Sequence, residues 1–132
     1  MAAIAKTLTD LIGKTPLLNL GNLKSKHKYG ANIIAKLEYF NLARSVKDWL
    51  GYALILDAEK EEILNSKSVI IEPTSGNTGV ALAFVVAARG YKLILVMPET
   101  MSIERRCLFA ALGAGIVLIP GHWGMNGAIR KA

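Results

Sequence analysis

The sequence predicts an α/β fold, an open parallel sheet with helices on both faces. Two observations carry this. Short apolar runs alternate with longer segments of helical period from residue 68 to the end: Ser68–Glu72, Asn77–Arg89, Lys92–Met97, Ser102–Leu112 and Gly115–Ile119. The strand runs are mostly apolar, as in strands covered on both faces, and 52% of the 132 residues are hydrophobic.

Taken in order, Leu17–Leu20 reads as a short strand after the Gly13-Lys14-Thr15-Pro16 turn, and Ser25–Gly30 as a polar loop. Asn32–Tyr39 reads as a second strand. Ser45–Leu64 reads as a helix with a broad apolar stripe from Trp49, Leu50, Ala53, Leu54, Leu56 and Ala58. Ser45 and Asp48 have the spacing of an N-cap and its partner three residues on. Pro98 is placed to stop the 92–97 strand and Gly113 to close the helix before it. Gly124–Ala132 reads as the start of one more helix. The β-α-β-α-β-α-β order predicts parallel strands with right-handed crossovers, and ligands at their carboxyl ends.

The length suits a single α/β domain over residues 1–132. The net charge is +6, from 16 basic and 10 acidic residues. The basic residues are scattered, and the densest cluster, Lys24-Ser25-Lys26-His27-Lys28, lacks interleaved aromatics. No nucleic-acid partner is expected. The lone Cys107 cannot form an intrachain disulfide and reads as a small packing residue; His27 and His122 are isolated, so no metal site is expected. The start lacks a long apolar stretch, and Arg89-Gly90 and Lys92 interrupt the most apolar region. These features predict a cytoplasmic protein without a membrane span.

Two motifs carry chemistry. Thr74-Ser75-Gly76-Asn77-Thr78-Gly79 lies between a strand and a helix. The first N–H groups of a helix lack intrahelical partners and favour an anion, hydroxyl and carboxamide groups add donors, and glycine permits close approach. Such residues also make ordinary turns and caps. The second motif is Ser45-Val46-Lys47-Asp48. A lysine in the first turn of a helix opposes the helix dipole, which favours its neutral, nucleophilic form. The common fate of such a lysine is nonetheless a solvated surface.

The stretches Ile12–Leu17, Ala35–Asn41, Ser45–Asp48, Ile71–Gly79 and Met97–Arg106, in this order and spacing, closely resemble the N-terminal part of cysteine synthase (O-acetylserine sulfhydrylase), of the second fold type of pyridoxal-phosphate enzymes. The resemblance implies pyridoxal 5′-phosphate as cofactor, with Lys47 as the Schiff-base lysine and general base. It implies Asn77 on the cofactor ring oxygen, and Thr74, Ser75 and Thr78 on the substrate carboxylate. The implied reaction is β-replacement, turning O-acetyl-L-serine and sulfide into L-cysteine and acetate. The implied partners are a second subunit in a homodimer and the C-terminal tail of serine acetyltransferase. Two other readings stand beside it: an inactive remnant or interaction module, and a related β-replacement enzyme such as cystathionine β-synthase.

The sequence departs from the family pattern near the lysine. Leu42, Arg44 and Trp49 replace a turn proline, a small residue and an arginine, and are expected to crowd Lys47. Arg44 is expected to be costly if its position needs an unusual φ. The glycine- and threonine-rich phosphate cup of the family is not among the 132 residues, so weak cofactor binding and little turnover are expected of the chain alone.

Overall fold

The computed structural model describes residues 4–74 and 76–132. Its centre is a three-stranded parallel sheet of β3 (Val69–Pro73), β4 (Lys92–Pro98) and β5 (Gly115–Ile119), in the order β3-β4-β5. The registers Glu72↔Leu95 and Val96↔Val117 align their carboxyl ends. Side chains alternate across a strand, and β4 divides its residues between two cores. Leu93, Leu95 and Met97 pack with Val80, Leu82, Ala83, Val85 and Val86 of α3 (Asn77–Arg89), Phe109 of α4 (Ile103–Ala111) and Ile55 of α2 (Lys47–Lys60). Val96 on the other face packs with Ile119 and with Ala128 of α5 (Gly124–Lys131). Helices therefore cover both faces, as the sequence predicts.

The N-terminal strands are organised differently. β1 (Leu17–Asn19) and β2 (Ile34–Lys36) form a separate antiparallel pair, with Leu17↔Lys36 and Asn19↔Ile34 opposed. The parallel arrangement expected of the four strands from 32–39 onward thus holds only from β3 onward, and the 32–39 strand shortens to three residues because Glu38–Phe40 turns into a 3-10 helix. The polar loop expected at Ser25–Gly30 begins inside helix α1 (Gly21–His27), so only its second half, residues 28–30, lies outside a helix. No residue of α1 is buried, its basic residues occupy the last turn where they complement the dipole, and Lys28 ends it at φ 53°.

Helix α2 faces the opposite way from its expected stripe. Asp48, Gly51 and Ile55 are buried, whereas Trp49, Leu50, Ala53 and Leu54 are exposed. The cause is the contact with α3. A Cβ at Gly51 would stand 3.0 Å from the Ala81 carbonyl carbon and 3.1 Å from the Ala81 Cβ, so the two helices meet backbone to backbone through the smallest residues. Cys107, expected as a packing residue, is exposed on α4. Gly113 closes α4 as expected, at φ 81°, where Ala114 N–H donates to the Phe109 carbonyl (3.0 Å).

Candidate functional site

Lys47 and Asn77 are the first residues of α2 and α3, and the close packing of those helices brings the two starts together. Ser45 joins them directly. Its buried Oγ accepts the Lys47 backbone N–H (3.2 Å) and the Asn77 Nδ2 (3.3 Å). The Lys47 side chain is exposed and makes no hydrogen bond or ion pair with a described residue. Ser45 thus spans 32 residues of sequence and holds a carboxamide beside the helix turn that carries the lysine.

The loop ahead of α3 is held from within. Thr74 is buried, and its Oγ1 accepts the N–H of Gly79 (3.1 Å) and of Gly76 (3.4 Å). Its oxygen thereby takes an N–H at the helix start, as a capping side chain does. The fit is close: a Cβ at Gly79 would lie 2.4 Å from Thr74 Cγ2. The Thr74 oxygen is committed to this loop, and its hydroxyl proton remains to be donated. The N–H groups of Asn77 and Thr78 have no partner among the described residues. These are the orphan donors that a carboxylate would satisfy. Thr78 is half-buried in the same turn; Ser75, also expected on the carboxylate, lies outside the described residues.

The segment leading into α2 is fixed by a second polar cluster. Glu38 accepts Asn41 Nδ2 (2.7 Å), Trp49 Nε1 (3.2 Å), Thr15 Oγ1 (3.2 Å) and the Lys36 amine. Lys36 beside it holds the Glu38 carboxyl below its ordinary range. Asn41 is buried, and its Oδ1 accepts Gly13 N–H (3.0 Å). Asp48 departs from the expected capping box: its Oδ2 accepts the Ala43 N–H (2.5 Å), while the Ser45 Oγ accepts the Lys47 N–H and the Asp48 N–H goes to the Ser45 carbonyl (3.2 Å). Asp48 is 1% exposed and its Oδ1 has no partner among the described residues. Burial pushes its carboxyl pKa up, against the lowering effect of the Ala43 N–H.

Arg44, between Ala43 and Ser45, has φ 60°, the left-handed region expected to make a non-glycine residue costly there. Trp49 lies against Gly13, where an added Cβ would stand 2.7 Å from its ring, and the Lys36 amine sits 5.1 Å from its centroid. The close approach of the indole is thus to Gly13. The sequence marked Lys47 and Asn77 but left Glu38, Asn41 and Asp48 without a site role, and Ser45 only as a cap. The polar residues at the foot of α2 were visible; their long-range partners were not.

A site with an exposed amine, a carboxamide and unpaired helix N–H groups is suited to an anionic carbonyl cofactor with an amino-acid carboxylate. The chain belongs to the pyridoxal-phosphate dependent enzyme family, whose sequence pattern matches residues 8–132. Within that family it resembles cysteine synthases. A probable cysteine synthase of Bacillus subtilis is 52% identical over 132 residues, covering 100% of this chain and 42% of the relative. The crystal structure of cysteine synthase from Entamoeba histolytica superposes with a TM-score of 0.92 at 42% identity, covering 98% of this chain and 39% of that one. The O-acetylserine dependent cystathionine β-synthase of Helicobacter pylori has a TM-score of 0.85 at 42% identity, covering 98% and 42%. The chain therefore spans about two-fifths of the length of these relatives.

Proposed function

We propose that this chain carries the cofactor-lysine and substrate-carboxylate portion of a cysteine synthase, converting O-acetyl-L-serine and sulfide to L-cysteine and acetate. The observation that carries the reading is the meeting of Lys47 and Asn77 at two helix starts across Ser45. The donor set fits pyridoxal 5′-phosphate: the Lys47 amine is available to its carbonyl carbon, and the Asn77 carboxamide to its ring oxygen. Bound there, the cofactor supplies an electron sink for the substrate Cα. The chain's own residues supply position and proton transfer. The Asn77 and Thr78 N–H groups, with the hydroxyls of Thr74, Ser75 and Thr78, bind and orient the substrate carboxylate. Lys47 Nζ, held in the first turn of α2, takes the Cα proton. Loss of acetate and addition of sulfide at Cβ complete the replacement.

The donor O-acetylserine is favoured because the Helicobacter pylori relative, a cystathionine β-synthase, also depends on it. A thiol in place of sulfide, as in a cystathionine β-synthase, is the alternative reading, since these residues address the carboxylate and the α-carbon. The same helix start would receive the terminal carboxylate of a serine acetyltransferase tail. The test is a visible spectrum of the chain with excess pyridoxal 5′-phosphate, then O-acetyl-L-serine. A band that forms with wild type, responds to the amino acid and is absent from Lys47→Ala supports the reading. A band of the same position and intensity in Lys47→Ala overturns it.

A further inference from the structure

Ser45 does more than begin a helix. Of the described residues it is the one whose side chain bonds both the first turn of α2 and the Asn77 carboxamide. It is 7% exposed, so no bulk water competes strongly for these bonds. Accepting the Lys47 N–H directs its lone pairs toward the helix start, and Asn77 Nδ2 approaches the same oxygen. Two donors on one oxygen fix the carboxamide: one Nδ2 hydrogen is held by Ser45, and the other hydrogen and Oδ1 are left to face a ligand. The segment bearing Ser45 is itself clamped, since the Asp48 carboxylate takes the Ala43 N–H and the Arg44 N–H donates to the Asn41 carbonyl (2.9 Å).

We infer that Ser45 is a positioning residue that sets the Asn77 carboxamide and the first turn carrying Lys47 at a fixed separation, so that one ligand engages both. This rests on the functional reading above for the identity of that ligand, but the tie itself belongs to the free chain. Loss of the hydroxyl would leave α2 and α3 packed through Gly51 and Ala81 while releasing the carboxamide.

The test compares wild type, Ser45→Ala and Ser45→Thr, the last retaining a hydroxyl. Two readouts are taken: NMR of the Lys47 amide and the Asn77 side-chain amide, and reductive trapping of pyridoxal 5′-phosphate followed by peptide mass mapping. In Ser45→Ala the Lys47 amide is expected to exchange about threefold to tenfold faster, the loss of one net hydrogen bond. The Asn77 side-chain signals should move to free-carboxamide positions, and the Lys47 share of the trapped label should fall by a similar factor. Ser45→Thr should keep wild-type values. Unchanged Lys47 and Asn77 signals in Ser45→Ala overturn the inference, as does a lowered melting midpoint with those signals unmoved, which would make Ser45 a packing residue. Even labelling of all lysines in wild type would instead overturn the functional reading, and the NMR signals would then decide the tie alone.

Discussion

Arg44→Gly should stabilise the fold, against the usual effect of placing glycine in a chain. Arg44 holds φ 60°, its side chain is exposed, and its one hydrogen bond is made by the backbone, to the Asn41 carbonyl. The left-handed conformation costs an L-residue roughly 1–2 kcal/mol. Glycine removes that cost but adds about 0.5–1 kcal/mol of unfolded-chain entropy. The balance is a gain of about 0.5–1 kcal/mol. At ~2.1 cal/mol/K per residue, a chain of this size has an unfolding entropy near 0.28 kcal/mol/K, so the midpoint should rise by about 2–4 °C. Thermal unfolding followed by circular dichroism measures it. Arg44→Ala is the control, because alanine keeps the left-handed penalty and should melt within about 1 °C of wild type. A glycine variant melting at or below the alanine variant would refute the assignment of strain to this position.

Other outcomes follow from the packing and the buried polar groups. Thr74→Val removes the acceptor for two N–H groups at the start of α3 and should cost about 1–2 kcal/mol in urea unfolding, with faster amide exchange at Gly79. Gly51→Val drives a side chain into the Ala81 backbone and should cost about 1–3 kcal/mol, read from the same transition. Asp48 has a folded pKa raised above 3.8 by burial, so the folded state binds its proton more tightly than the unfolded state. Its contribution is therefore most favourable below 3.8 and is lost as pH rises through the folded value. Relative to Asp48→Asn, wild type should lose stability as pH rises across that window, a trend that unfolding curves at stepped pH would reveal.

The parts of the fold that were legible in the sequence are those fixed by local pattern. Strand β5 and helix α3 occupy the residues their apolar periods indicate, because Gly90 and Gly113 at positive φ end the helices sharply. Polarity misled at α1, since Lys24, Lys26 and Lys28 report exposure, and an exposed segment can be helical as readily as looped. Helix α2 misled for a tertiary reason. Its apolar residues point outward because the small Gly51 gives α3 the closest approach, and no count of hydrophobic residues contains that preference. At the site, Lys47 and Asn77 were legible as motif residues, and the left-handed strain at Arg44 was expected because the family pattern carries a small residue at that position. The bonds of Ser45 to Asn77 and of Asn41 to Gly13 were not, because each spans at least 28 residues and depends on helix packing.

The central claim is that Lys47, set beside Asn77 by the crossing of α2 and α3, is the lysine that takes pyridoxal 5′-phosphate. Borohydride reduction of the chain with that cofactor, followed by peptide mass mapping, tests it most directly. The account predicts label concentrated on Lys47 over Lys28, Lys60 and Lys67, which are also exposed, and reduced in Ser45→Ala. Label spread evenly over the exposed lysines, with no preference for Lys47, would contradict it.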